Sequence, residues 1–176
     1  MNDKIFWLVL VVVVGGAVGV FMLSGGKTPD AAMIGQMYED VGNRHLPPDQ
    51  VGQYNTVPAT SGDHGERVEY GEYSQGLSDY DALHGLEHGA VAFWYNAGTI
   101  TEDELSQVRT TFESLNVGKK YLAPRSNLEN NVKLAMTAWT YLLTQEEIDT
   151  EEMITFFNGH VNQGPELALN LRRLDT

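Results

Sequence analysis

Cysteine is absent from the 176 residues of this chain. Its absence excludes a disulfide framework, a zinc–thiolate site and a thiol nucleophile. Basic residues are also few, because 11 Lys and Arg stand against 24 Asp and Glu, which gives a formal net charge of −13. A nucleic-acid-binding surface needs a basic patch, so we expect no nucleic-acid partner.

Charge is missing altogether from one segment near the start of the chain, Ile5 to Leu23. About 19 residues with a rise of about 1.5 Å each span about 28 Å, which matches the hydrocarbon core of a bilayer. We therefore predict an N-terminal transmembrane anchor over residues 1–26 that contacts the lipid bilayer through residues 5–23. The alternative is a signal peptide cleaved near Ser24, although the apolar core of such peptides is usually shorter.

The rest of the chain is expected to lie outside the cytoplasm. The apolar segment begins almost at residue 1, so the bulk of the chain lies on one side, and we favour a single-pass cell-membrane protein with its amino terminus inside. Residues 27–41 are predicted to form a linker and juxtamembrane segment, with a short helix near Met33 to Val41. Residues 42–176 are predicted to form the extracytoplasmic domain, and the sequence identifies no protein partner.

Apolar periodicity and cap patterns predict both helices and strands in the second half of the chain. The predicted strands cover residues 90–95, 119–123 and 132–139, and the predicted helices begin near Ser78, Thr101 and Thr150. A stretch rich in Gly, Pro, Asn and Ser over residues 42–73 predicts a long loop of functional importance. We therefore expect an α+β domain, with one mostly antiparallel sheet packed by helices and a long Gly/Pro-rich loop.

Five histidines offer the chemistry of a metal site. His84 and His88 are four residues apart, which on a helix places both imidazoles on one face. His160 lies on the apolar face of the last predicted helix, and His64 ends a turn-rich segment. We predict metal ligands His64, His84, His88 and His160, additional candidate ligands His45 and Met136, and outer carboxylate partners Asp63, Glu87 and Glu166.

The ligand types limit the choice of ion. Nitrogen ligation without a thiolate suits copper, zinc or nickel. A thioether from Met136 beside the imidazoles favours copper slightly over zinc, although a methionine in a strand also serves as a packing residue. We therefore predict a copper or zinc ion.

Two other functions stay open. The histidines could instead fasten the long loop to the core of a structural or interaction module. The segment HGLEH also matches the H-x-x-E-H pattern of inverted zinc proteases, in which Glu87 would polarise water and Glu166 would complete the ligand set. Those catalytic domains are much larger, and here Gly89 and a predicted strand follow the motif at once, so we favour a non-enzymatic domain.

Four segments of the chain read YNTVPATSGDH, ALHGLEHGAVAFWY, LAMTAW and FFNGHVNQGPE. Together they resemble the family called domain of unknown function 3105, from about His45 to Glu166, and all five histidines fall at motif positions. The resemblance implies a membrane-anchored, extracytoplasmic domain of prokaryotes without a settled activity, and it implies that the histidines share a site. The chain departs from the family pattern at Ala59 and Asp63, where proline is usual or common, which loosens the loop but leaves His64 in place.

Overall fold

The computed structural model describes residues 33–48 and 50–166, all within one compact unit, Ala31–Thr176. The predicted transmembrane anchor lies outside the described residues, as do residues 27–32 of the predicted linker. Within the described part of the chain, no helix is both long enough and apolar enough to cross a bilayer.

Strands and helices are interspersed along the described residues. The elements are β1 (Gln36–Met37), β2 (Gly71–Glu72), α1 (Asp79–Glu87), β3 (Val91–Tyr95), α2 (Glu102–Ser114), β4 (Lys120–Pro124), β5 (Leu134–Ala138), β6 (Tyr141–Gln145) and α3 (Thr150–His160). The strands form one sheet in the order β1-β6-β5-β3-β4-β2, in which β4 pairs parallel with β2 and β3 and the other neighbours pair antiparallel. The predicted α+β class is therefore confirmed, and the sheet is mixed, with three antiparallel and two parallel pairs of neighbouring strands.

Side chains at the helix starts explain where the helices begin. The hydroxyl of Ser78 accepts a first-turn backbone N–H of α1, and the carboxylate of Asp149 does the same for α3. Thr101 and Glu104 form the predicted capping box at the start of α2. Each cap satisfies N–H groups that the first turn of a helix leaves unpaired. The three helices predicted in the second half of the chain are confirmed.

The segment from Met33 to Val41 contains a strand, and the short helix predicted there is wrong. Strand β1 pairs antiparallel with β6, with Gln36 opposite Leu142. Strands β1 and β2 contain two residues each, which is too few to show an alternating pattern, and sequence reasoning missed both. It also missed the five-residue strand β6.

The side chains of the central strand alternate between two cores. Val91 and Phe93 pack against α2 and α3, whereas Ala92 and Trp94 pack against α1 and the long loop. Because β3 is covered on both faces, all five of its residues are buried, which explains the continuous apolar run in the sequence. The sheet therefore separates a layer formed by α1 and the loop from a layer formed by α2 and α3.

Asp79, the first residue of α1, fastens the long loop to the helix. Its carboxylate accepts the backbone N–H of Ala59 at 2.9 Å. The same carboxylate receives two bonds from the Arg125 guanidinium, at 2.8 and 2.6 Å. This network holds the loop over the helix that carries two of the histidines.

Candidate metal centre

Helix α1 carries His84 in its last turn, and His88 follows one turn later as the residue that caps the helix. Their ring centroids lie 4.9 Å apart and their Nε2 atoms lie 3.0 Å apart. His84 is buried, whereas the side chain of His88 is 32% exposed. The four-residue spacing brings the two ring nitrogens together, as the sequence predicts.

The long loop contributes two more imidazoles. The segments around His45 and His64 run side by side as a parallel bridge, in which the N–H of His64 donates to the carbonyl of Arg44. The ring centroids of His45 and His64 lie 5.1 Å apart, and they lie 4.7 and 5.4 Å from that of His84. We call His45, His64, His84 and His88 the histidine cluster.

Backbone carbonyls determine which ring nitrogen carries the proton on two of these histidines. Nδ1 of His64 lies 2.8 Å from the carbonyl oxygen of Gly62, and Nδ1 of His84 lies 3.1 Å from that of Gly65. A carbonyl oxygen only accepts, so each Nδ1 carries the proton and each Nε2 keeps a lone pair. Metal-binding histidines show this arrangement, because they donate their second ring N–H to an outer acceptor.

Glu87 lies among the imidazoles, with its side chain 1% exposed. Its Oε2 atom is 3.3 Å from Nε2 of His64 and 3.8 Å from Nε2 of His45. Its Oε1 atom accepts a hydrogen bond of 2.6 Å from Nδ2 of Asn43. Sequence reasoning named Glu87 as an outer partner and missed Asn43, whose only signal is its position two residues before a histidine.

Two polar atoms at this site, Nε2 of His64 and Oε2 of Glu87, are buried without a hydrogen-bond partner, and among the described residues they are the only such side-chain atoms. Both have lone pairs, so without a cation between them they repel. A buried polar group without a partner costs about 1–3 kcal/mol. Burial lowers the pKa of His64, which disfavours a proton on this imidazole. The pair therefore has the electrostatics of a cation-binding site.

The chain that follows α3 returns to the end of α1. The N–H of Asn162 donates to the carbonyl of Gly89, and a Cβ on Gly164 would come within 2.1 Å of the carbonyl oxygen of Glu87. This close approach brings Oε2 of Glu166 to 3.2 Å from Nε2 of His88. Burial lowers the pKa of His88, and the Glu166 carboxylate opposes that shift. Glu166 therefore lies beside an imidazole, at the same ring nitrogen of His88 that faces His84.

His160 and Met136 do not join the cluster. Both belong to the α2–α3 side of the sheet, opposite to α1. Nε2–H of His160 donates to the carbonyl of Ile34 at 2.8 Å, and its ring packs on Tyr141 and Phe156. Periodicity correctly predicts that these side chains point into a core. The sheet has a separate core on each face, however, and these two residues belong to the core opposite the histidine cluster.

Asp63 contacts Arg44 instead of an imidazole. Its carboxylate accepts the backbone N–H of Arg44 at 3.0 Å and also its guanidinium, and the bond from that guanidinium lowers the pKa of the carboxyl group. Because Arg44 precedes His45 and Asp63 precedes His64, this pair fastens together the two loop segments that carry histidines.

The buried imidazole of His160 leads to a prediction about pH. Burial lowers the pKa of His160 from the ordinary value of 6.5. On acidification, the unfolded chain therefore takes up a proton at His160 at a higher pH than the folded chain does. The contribution of His160 to stability is therefore complete above about pH 6.5 and is lost as the pH falls. We expect His160→Gln, which keeps an N–H donor for Ile34, to lose less stability than the wild type between about pH 7 and about pH 5. Urea unfolding with a chelator present measures both losses, and equal losses would contradict the prediction.

Comparison with known proteins agrees with the motifs. The family model described as "Protein of unknown function (DUF3105)" matches residues 45–171. No curated protein and no solved structure matches the chain. The matched range covers most of the chain and contains the whole histidine cluster together with Glu87 and Glu166. The chain therefore belongs to the family of proteins of unknown function DUF3105.

Proposed function

We propose that this domain binds one divalent transition-metal ion, zinc or copper, through the histidine cluster. The proposal is carried by the two unpaired atoms, Nε2 of His64 and Oε2 of Glu87, which face each other at 3.3 Å inside the protein. Their separation matches the edge of a tetrahedron, roughly 3.3 Å, for metal–ligand bonds of about 2.0–2.1 Å. An ion between them would satisfy both atoms.

The remaining ligands of this ion come from two neighbouring imidazoles. Donor atoms of His45, His64 and His84 lie within 4.8 Å of one another. With Glu87 they supply three nitrogens and one carboxylate oxygen, which is a ligand set typical of zinc. We call these four residues the inner position.

The donor types limit the ion to two candidates. The sequence favours copper slightly on the ground of a thioether from Met136, but that side chain lies in the core on the opposite face of the sheet. Imidazole and carboxylate ligands suit Zn²⁺ and Cu²⁺ alike. We therefore propose either ion, without a preference for copper.

We also propose that the domain is held at the outer face of the cell membrane by residues 5–23. The support is the length of this segment and its lack of charge. We expect a protease added to intact spheroplasts to digest the domain. Protection of the domain until the cells are lysed would contradict this location.

A structural module is the second candidate function, because the bonds from His64 and His84 to the carbonyls of Gly62 and Gly65 also fasten the loop to α1. We do not propose a hydrolase. In a hydrolase, Glu87 would have to reach a water molecule bound at an open coordination position of the metal. Instead, Glu87 is buried, and one of its oxygens accepts a hydrogen bond from Asn43.

Metal uptake by the full-length chain, prepared in detergent without a histidine tag, distinguishes the two candidates. Equilibrium dialysis against Zn²⁺ is expected to show one ion per chain. The free energy of unfolding should also rise with the concentration of free Zn²⁺, by about 2.7 kcal/mol when that concentration is a hundred times the dissociation constant. The absence of saturable uptake of either Zn²⁺ or Cu²⁺ would contradict the metal-binding proposal and favour the structural module.

A further inference from the structure

We propose that the ion reaches the inner position through an outer position formed by His84, His88 and Glu166, and that His84 carries the ion between the two. This inference rests on the proposed function. It adds a route, a shared ligand and a role for Glu166, which is not part of the inner position.

Exposure falls along one path, from Glu166 and His88 to His84 and His64, whereas the side chain of His45, an inner ligand, is itself 46% exposed. The side chains of Glu166 and His88 are 36% and 32% exposed, whereas His84 is 8% exposed and His64 is fully buried. An ion that enters along this path therefore meets Glu166 and His88 before it meets His84 and His64. The negative charge of Glu166 adds local attraction for a cation.

The outer donors already have the spacing of metal ligands. Nε2 of His88 lies 3.0 Å from Nε2 of His84 and 3.2 Å from Oε2 of Glu166. Both distances are close to the tetrahedral edge of roughly 3.3 Å for metal–ligand bonds of about 2.0–2.1 Å. Nε2 of His88 is therefore at ligand spacing from both of the other donors, and an ion would draw the Glu166 carboxylate toward His84 to complete the outer position.

His84 belongs to both positions but can serve only one ion at a time. Its Nδ1–H is bonded to the carbonyl of Gly65, so in the neutral ring only Nε2, which lies 3.0 Å from Nε2 of His88, can offer a lone pair to an ion. One ion can remain on His84 while it releases His88 and Glu166 and gains His64. The shared ligand therefore links the two positions as successive sites of a single ion.

A second opening of the cluster lies at His45 and is less suited to this transfer. A cavity of about 520 Å³ beside His45 is lined by Leu46, Tyr80 and Glu66 among others. Nδ1 of His45 faces Glu66 at 3.7 Å, whereas Nε2 faces Glu87 at 3.8 Å. An ion arriving from this side would bind Nδ1 and would have to leave His45 before it could meet Nε2.

The rates of metal exchange in Glu166→Gln test this route, and Glu66→Gln is the matched control because both changes remove one negative charge. Cu²⁺ binding is followed by stopped-flow tryptophan fluorescence, since the Trp139 ring lies 6.3 Å from the His64 ring and the bound ion quenches it. Release is followed by mixing the loaded full-length chain with a chelator. We expect Glu166→Gln to slow both association and dissociation about tenfold, and Glu66→Gln to leave both rates near those of the wild type.

The outcomes separate this inference from the proposed function. If Glu166→Gln and Glu66→Gln exchange Cu²⁺ at the same rates, or if Glu66→Gln is the slower of the two, the outer position is overturned while metal binding stands. If the wild type binds no Cu²⁺ and no Zn²⁺, the proposed function is overturned and the inference with it.

Discussion

Replacing His84 with alanine is expected to lower the affinity for Zn²⁺ and Cu²⁺ by more than about a hundredfold. Loss of an outer partner of a ligand usually weakens binding by about 10–100-fold, and loss of the ligand itself should cost more. His84 should be the most sensitive imidazole, because it belongs to both groups of residues whose donors could hold an ion. Competition against a chromophoric chelator measures the change.

His160→Ala is the matched control for this experiment. Both residues are buried imidazoles bonded to a backbone carbonyl, but His160 lies on the opposite face of the sheet. We expect both variants to lose stability, since each loses a hydrogen bond and leaves a cavity. Only His84→Ala should lose the ion. Equal affinity of the two variants would mean that the histidine cluster is not the binding site.

Replacing Glu87 with glutamine is expected to change stability and metal affinity in opposite directions. The amide oxygen can still accept from Asn43, and the new N–H group can donate to the unpaired Nε2 of His64. A hydrogen bond then replaces the contact between two acceptors, which should stabilise the metal-free protein by about 1–3 kcal/mol. The neutral amide is a poor ligand for a divalent ion, so metal affinity should fall by about a hundredfold.

Urea unfolding with a chelator present measures the first effect, and chelator competition measures the second. Glu66→Gln removes the same charge at an exposed position, so it should change stability by no more than about 0.5 kcal/mol. A structural module in which the carboxylate and the imidazole share a proton predicts the reverse sign, because glutamine would then break a bonded pair. A metal-free Glu87→Gln protein that is no more stable than the wild type would therefore contradict a cation site between His64 and Glu87.

Much of the fold could be predicted from local sequence. Caps at Ser78 and Thr101 and the apolar run of β3 are short-range signals, and the structure places a helix or strand at each. Strands β1 and β2 could not be found in this way, because two residues show no period and their pairing partners lie far along the chain. The parallel pairing of β3 with β4 likewise depends on the crossover through α2 and not on a local pattern.

The candidate site could also be predicted only in part, because local spacing can be read from the sequence and long-range pairing cannot. The spacing of His84 and His88 fixes their proximity within one helix, whereas the approach of His45 to His64 depends on the bridge between two loop segments. Sequence reasoning assigns His160 to the site because it faces inward, but periodicity does not tell which face of a sheet a helix covers. The unpaired state of Nε2 on His64 depends on the Gly62 carbonyl, and no sequence pattern indicates it.

The central claim is that an ion lies between His64 and Glu87, and anomalous diffraction at the zinc edge tests it most directly. Crystals of the full-length chain grown with Zn²⁺ should show one strong peak, about 2.0–2.2 Å from Nε2 of His64 and from Oε2 of Glu87. A zinc peak at His160 or elsewhere, with no peak between His64 and Glu87, would contradict the claim.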